Sequence, residues 1–333
     1  MSPSPDASLL VEGVITGHPR RIGQAISALE REGGAPEISR ALYSRTGRAR
    51  VVGMTGPPGA GKSTLVQRLA QLWRSEGKRV GIVAVDPSSP FTGGAILGDR
   101  IRMAEIYTDP GVFIRSMATR GALGGLARAT SDAVDVLDAA GFDVVVIETV
   151  GVGQDEVDIV KAAETTVVVL PPGLGDDIQA IKAGILEIAD VFVVNKADRE
   201  GAARTEAELA MMLDLTAAKD WRPPIVRTVA PSNQGVAETA GAIAAHAAYL
   251  GEGGEGQRRA RRRARARLLA ILDERFRSAV LHRAGESDGL AEAVARVSAR
   301  EEDPYAAASH VFDRVLARQR GNPRDEGEAG SGT

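Results

Sequence analysis

Residues 56–64 read Gly56-Pro57-Pro58-Gly59-Ala60-Gly61-Lys62-Ser63-Thr64, a complete G-x-x-x-x-G-K-S/T loop. Gly56, Gly59 and Gly61 carry no Cβ, so the backbone can wrap tightly and turn its N–H groups toward an anion. Lys62 has the reach of a point charge for β- and γ-phosphate oxygens, and the Ser63 hydroxyl is placed to ligate Mg²⁺. Upstream, Arg50–Thr55 is a short apolar strand. Downstream, Ser63–Ala70 opens an amphipathic helix. A phosphate on this loop would sit at a helix N-terminus, where orphan amides and the dipole favour negative charge.

Working outward, apolar strand-like runs alternate with helical stretches from about 49 to 250. The runs are Val51–Thr55, Val80–Val85, Val112–Arg115, Val144–Glu148, Thr166–Leu170, Val191–Asn195 and Ile225–Val229. Several are unbroken Val/Ile series, which suit a parallel sheet covered on both faces. The pattern predicts an α/β fold, with a doubly wound, mostly parallel sheet and ligand-bearing loops at the strands' carboxyl ends. Residues 1–48 read as an N-terminal helical extension, with Ile22, Ala25, Ile26 and Leu29 at helical spacing. Gly251–Gly256 reads as a flexible linker. Residues 251–320 form a C-terminal helical arm, and 321–333, rich in Gly, Pro and charge, a disordered tail.

Three further stations belong to the same chemistry. Asn195-Lys196-Ala197-Asp198 follows a strand, and Asp198 there can accept both N1–H and the exocyclic amine of guanine, which adenine cannot offer. Asp86 and Glu148 each end a strand, so with Ser63 they form a candidate Mg²⁺ set. The competing reading makes Asp86 a turn former before Pro87 and Glu148 a helix cap. Gly151 lies where an amide could meet a γ-phosphate, which makes Val150–Glu156 a candidate switch segment.

Bulk properties narrow the classes. Among 333 residues there are 41 Lys+Arg and 44 Asp+Glu, a net charge of −3, so no global pull toward nucleic acid or an anionic membrane is expected. There is no Cys, which removes disulfides, thiolate metal sites and Cys nucleophiles. With no secretory signal and no long apolar run, a cytoplasmic protein is expected.

Taken with Asp86–Met103, Arg115–Gly121 and Glu148–Gln154, these motifs resemble the MeaB/ArgK-type GTPases, chaperones of adenosylcobalamin-dependent acyl-CoA mutases. The resemblance spans roughly residues 45–250. It implies a phosphate-loop GTPase domain with helical extensions, a homodimer, GTP/GDP and Mg²⁺ as ligands, and a mutase partner whose cofactor loading and protection are gated by GTP. It places Asp99 in a first switch, joining the Mg²⁺ site, and residues around Leu170–Lys182 in a switch that meets the partner. It puts Val229-Ala230-Pro231 where the family carries a Ser-Ala pair against guanine, leaving the Ala230 N–H to serve. Related nickel chaperones need His or Cys ligands, whereas His18, His246, His282 and His310 are scattered here.

Catalysis is expected from positioning and electrostatics, through the loop amides, Lys62 and Mg²⁺, with Asp99 in the metal site. Gln154 is a candidate for positioning the water, its alternative being a helix-start residue. Arg115 and Arg120 are candidates for an arginine finger. The expected result is slow intrinsic turnover, stimulated by the partner. A phosphate-loop kinase and a signalling or ribosome-linked GTPase are the alternatives. The Arg258–Arg267 run, without interleaved aromatics, reads as a solvated helix face, with a dimer mate's acidic residues as a candidate counterpart. The helix Ala260–Leu281 carries an apolar stripe suited to dimerisation. Trp73 and Trp221 read as packing residues.

Overall fold

The computed structural model describes residues 4–31, 35–86, 104–118, 123–149, 162–173, 185–215, 220–285 and 289–320. Each apolar run becomes a strand: β1 (Arg50–Thr55), β2 (Val80–Asp86), β3 (Val112–Ala118), β4 (Val144–Thr149), β5 (Thr165–Leu170), β6 (Val191–Asn195) and β7 (Ile225–Thr228). Among the described residues these seven form one sheet in the order β3-β2-β4-β1-β5-β6-β7, and every pairing is parallel. β1 thus lies at the centre, flanked by β4 and β5, and the phosphate loop leaves its carboxyl end.

Side-chain alternation divides the sheet's two faces. Val52, Met54, Val144 and Val146 join one core, under helix α4 (Lys62–Ser75), which contributes Leu65, Val66, Leu69, Ala70 and Trp73. Val51, Val145 and Ile147 join the other. Strands buried on both faces need no polar alternate, which is why these read as unbroken Val/Ile runs. Full burial of each such side chain contributes about 1.5–3 kcal/mol.

That second core is closed by the N-terminal helices α1 (Pro5–Ile15), α2 (Pro19–Leu29) and α3 (Pro36–Tyr43). Each begins with proline, whose missing N–H costs nothing in a first turn. A short helix α5 (Ala104–Tyr107) precedes β3, and helix α6 (Leu123–Ala139) lies over β2 and β4, with Ala133 and Leu137 in the core. Asp138 of α6 collects the Gly47, Arg48 and Ala49 amides at 2.5–3.3 Å, fixing the lead-in to β1. Short α7 (Ile185–Ile188) and then α8 (Ala202–Leu215) flank β6, with Leu209 packed on Phe192 and Val194.

One expectation is corrected. Gly251–Gly256 is not a flexible linker: α9 (Val236–Glu252) and α10 (Gly254–Gly285) meet there with only Gly253 between them. Glu255, in the first turn of α10, accepts from Arg258 (2.8 Å), Arg259 (3.2 Å) and Arg262 (2.7 Å), an acid placed where a helix start favours it. Gly256 serves close approach, since a Cβ there would lie 2.2 Å from the Leu250 carbonyl oxygen.

The chain divides into two compact units, Met1–Ala270 and Ile271–Thr333. The second holds the end of α10 with α11 (Gly289–Ser298) and α12 (Pro304–Arg320). Within it Glu302 binds Arg296 (2.8 Å) and His310 (2.5 Å), and the Phe276 and Phe312 rings lie 5.8 Å apart. Among the described residues no helix is long and apolar enough to cross a membrane.

Candidate functional site

The phosphate loop adopts the backbone that its glycines allow. Gly56, Gly59 and Gly61 have φ of 138°, 75° and 90°. The turn is also sterically closed to larger residues: a Cβ on Gly56 would lie 2.0 Å from the Val169 carbonyl oxygen, and one on Gly61 2.3 Å from Asn195 Nδ2. Pro57, Pro58 and Ala60 complete the curve, with Ala60 fully buried. Lys62 starts α4, and its ammonium donates to the carbonyls of Gly56 (2.6 Å) and Pro57 (3.1 Å), holding the charge against the loop's mouth. Thr64 follows in the first turn of α4.

Two of the proposed metal ligands come together. Ser63 Oγ donates to Glu148 Oε1 at 2.5 Å, across 85 residues of sequence. The register explains this, because Glu148 pairs with Met54 on β1, just ahead of the loop. Glu148 is buried at 2% exposure, and Thr149 Oγ1 meets Thr55 Oγ1 at 3.2 Å beside it. Asp86 ends β2 one position beyond Val85, which pairs with Thr149, so its backbone reaches the same sheet edge. The Asp86 side chain, and Asp99, Gly151, Gln154 and Arg120 entirely, lie outside the described residues.

The Asn195–Asp198 segment is joined to the phosphate loop. Asn195, the last residue of β6 and 1% exposed, donates from Nδ2 to the Ala60 carbonyl at 2.8 Å. Its Oδ1 accepts from Thr228 Oγ1 (2.9 Å) and from the Ala230 N–H (3.3 Å). Lys196, at φ +60°, donates to the Gly59 carbonyl at 2.7 Å. Asp198 is exposed, free of burial cost as an acceptor. Val229 precedes the buried Ala230, which opens a one-turn 3₁₀ helix (Ala230–Ser232) containing the exposed Pro231. The Ala230 amide, expected to face a base, is directed at Asn195 in this structure.

Two sequence expectations change here. Arg115 is no phosphate-facing finger: its guanidinium ion-pairs with Glu30 and donates to Ser27 at 3.0 Å, both on the N-terminal side of the chain. Nor is the Arg run a uniformly solvated face. Arg259, Arg263 and Arg267 face Asp190, Glu164 and Asp132 of the same chain, not a dimer mate. Thr228 escaped sequence reading, since nothing local marks a strand-end threonine as the support of an asparagine 33 residues away. Trp73 is buried as expected, and Trp221 packs on His246 and donates to the Asp190 carbonyl at 2.9 Å. Among the described residues no three His, Asp or Glu side chains cluster as a metal group.

Comparison with known proteins agrees with this geometry. A Pyrococcus abyssi protein named as a GTPase is 51% identical over 314 residues, covering 92% of this chain and 96% of that one. The mouse protein named methylmalonic aciduria type A homolog, mitochondrial, is 40% identical over 220 residues, 65% of this chain and 52% of that one. The crystal structure of a LAO/AO transport system kinase has the same fold, with a TM-score of 0.70 at 21% identity, covering 95% of this chain and 99% of that one. The family model described as methylmalonyl Co-A mutase-associated GTPase MeaB matches residues 22–285. With a phosphate loop, a guanine motif and this sheet in place, the chain belongs to the MeaB family of GTPases.

Proposed function

We propose that the protein binds GTP and GDP with Mg²⁺, hydrolyses GTP slowly on its own, and gates cofactor loading and protection of an adenosylcobalamin-dependent acyl-CoA mutase as a homodimer. The observation that carries the nucleotide part is the Asn195–Ala60 bond, which ties a guanine-selecting segment to a phosphate-binding one. The loop amides from Gly56 to Thr64 and the Lys62 ammonium would hold the phosphate chain and offset charge that develops on its bridge oxygens. Asp198 would choose the base by paired acceptance, with Lys196 and the Val229–Pro231 turn beside it.

Ser63 and Glu148, already within hydrogen-bond distance, fit an oxygen-ligand metal site, with Asp86 and Asp99 as its remaining carboxylates. Mg²⁺ bound there would neutralise phosphate charge. Gln154 would position the water, and Gly151 would report the γ-phosphate through the switch segment. The mutase role draws on the family's description and on the mouse relative's name. The apolar residues Leu272 and Phe276 on α10, each about half exposed, support a dimer contact.

The test is GTP turnover with and without an adenosylcobalamin-dependent methylmalonyl-CoA mutase. A rise in single-turnover rate supports the proposal, and an unchanged rate contradicts the partner assignment. Recovery of label from [γ-labelled] GTP on protein in place of free phosphate would favour a kinase.

A further inference from the structure

Arg259, Arg263 and Arg267 recur every four residues along one face of α10. Arg259 bonds both carboxylate oxygens of Asp190 (2.8 and 3.0 Å), just ahead of β6. Arg263 reaches Glu164 (3.5 Å), just ahead of β5. Arg267 bonds Asp132 (2.8 Å) and pairs with Asp135 (2.7 Å), both on α6. Asp190 and Asp132 are 3% and 6% exposed, so these are buried anchors, not surface pairs. One helix thereby grips two separate pieces of the domain: the amino ends of β5 and β6, and helix α6.

Helix α6 is placed to sense the nucleotide site. It packs on Val83, Val85, Val145 and Ile147 of β2 and β4, the two strands that carry Asp86 and Glu148 at their carboxyl ends. Its Asp138 holds the lead-in to β1, whose other end is the phosphate loop. Its Arg128 pairs with Asp132 (2.9 Å) and donates to the Leu29 and Arg31 carbonyls at the end of α2. Burial pushes the Asp135 carboxyl above its ordinary value, with Arg267 as the main opposing influence. Removing Arg267 would leave two neighbouring carboxylates of α6 without that counter-charge.

We propose that Arg267 couples the nucleotide site to α10: its double seat on Asp132 and Asp135 makes the setting of this helix follow that of α6. Arg267 is a positioning residue, not a catalytic one, and the inference rests on the nucleotide reading above. A shift of α6 relative to the β5–β6 side cannot leave all three arginine anchors equally satisfied, so the state that changes α6 changes α10.

The experiment is amide hydrogen exchange on the full chain, with Mg²⁺ and either GDP or a non-hydrolysable GTP analogue, read on peptides covering 254–270. Wild type should show protection differing about 5-fold or more between the two nucleotides. Arg267→Gln and Asp135→Asn should reduce that difference to under about 2-fold, while calorimetric nucleotide affinity stays within about 2-fold. Arg261→Gln, on the exposed face, should leave the difference intact. Should Arg267→Gln fail to fold, Asp135→Asn decides, since it keeps shape and removes one half of the double seat on which the coupling rests. The proposal is overturned if wild type binds both nucleotides with identical exchange in α10, or if the difference survives in folded Arg267→Gln or Asp135→Asn. If wild type takes up no nucleotide at all, the underlying site reading fails along with it.

Discussion

Asn195 Nδ2 donates to the Ala60 carbonyl at 2.8 Å, a bond that closes 135 residues of sequence and locks the guanine motif to the phosphate loop. The same side chain accepts from Thr228 and Ala230, so a single buried amide joins three loops at the carboxyl edge of the sheet. Asn195→Ala leaves the Thr228 hydroxyl and the Ala60 carbonyl unpaired in a buried setting, at about 1–3 kcal/mol each. GTP affinity by calorimetry should fall about 10- to 100-fold, with a lower melting temperature in the nucleotide-free protein.

Gly61 has no room for a side chain. Gly61→Ala would set a Cβ 2.3 Å from Asn195 Nδ2 at a φ of 90°. The variant should lose nucleotide binding while keeping the helical and sheet content seen by circular dichroism, because the clash is confined to the loop and its neighbour.

Ser63→Ala removes the donor of the 2.5 Å contact beneath the phosphate loop, and Glu148→Gln keeps an acceptor there but removes the negative charge a metal would need. Both should reduce Mg²⁺-dependent GTP turnover by about 10²-fold or more, with a smaller loss in GDP affinity. Titration of Mg²⁺ in the turnover assay separates a metal role, which shifts the midpoint, from a purely structural one, which scales the rate alone.

On the proposed reading, Asp198 would select the base by accepting two donors at once. Asp198→Asn presents one donor in place of an acceptor, so preference for GTP should fall by about 10²-fold, and affinity for a xanthine triphosphate, which carries an oxygen where guanine carries the amine, should rise. Competition binding with GTP, ATP and the xanthine triphosphate reads this directly.

Away from the site, His246 is fully buried, bonded to Thr165 Oγ1 (2.9 Å) and 3.3 Å from Asp190 Oδ1. Burial lowers its pKa from the ordinary 6.5, against the pull of Asp190. The unfolded chain therefore takes up the proton first as pH falls. The stability held by the neutral imidazole is present above about 6.5 and is lost below it. Melting temperature should drop more steeply between pH 7.5 and 5.5 in wild type than in His246→Gln, although the variant is less stable throughout.

The sheet was legible because its signal is local. Runs such as Val144–Ile147 have no polar alternate, and only a doubly covered strand accommodates that. The phosphate loop and the Asn195–Asp198 motif were legible because their chemistry demands particular residue types at fixed spacing. What the sequence hid was long-range. Nothing near Arg267 announces Asp132 and Asp135, and nothing near Thr228 announces Asn195. Gly251–Gly256 misled because glycine marks close approach as well as freedom, and at Gly256 the Leu250 carbonyl leaves no space for a Cβ. The Arg115 side chain has an equally specific but distant reason, Glu30.

The central claim, that a guanine-selecting segment and a phosphate loop form one site through Asn195, is tested most directly by calorimetric titration with a non-hydrolysable GTP analogue and its ATP counterpart in the presence of Mg²⁺. Saturable uptake of the guanine form, at least about 100-fold tighter than the adenine form, is the predicted result. Equal affinity for the two bases, or no uptake of either, would contradict it.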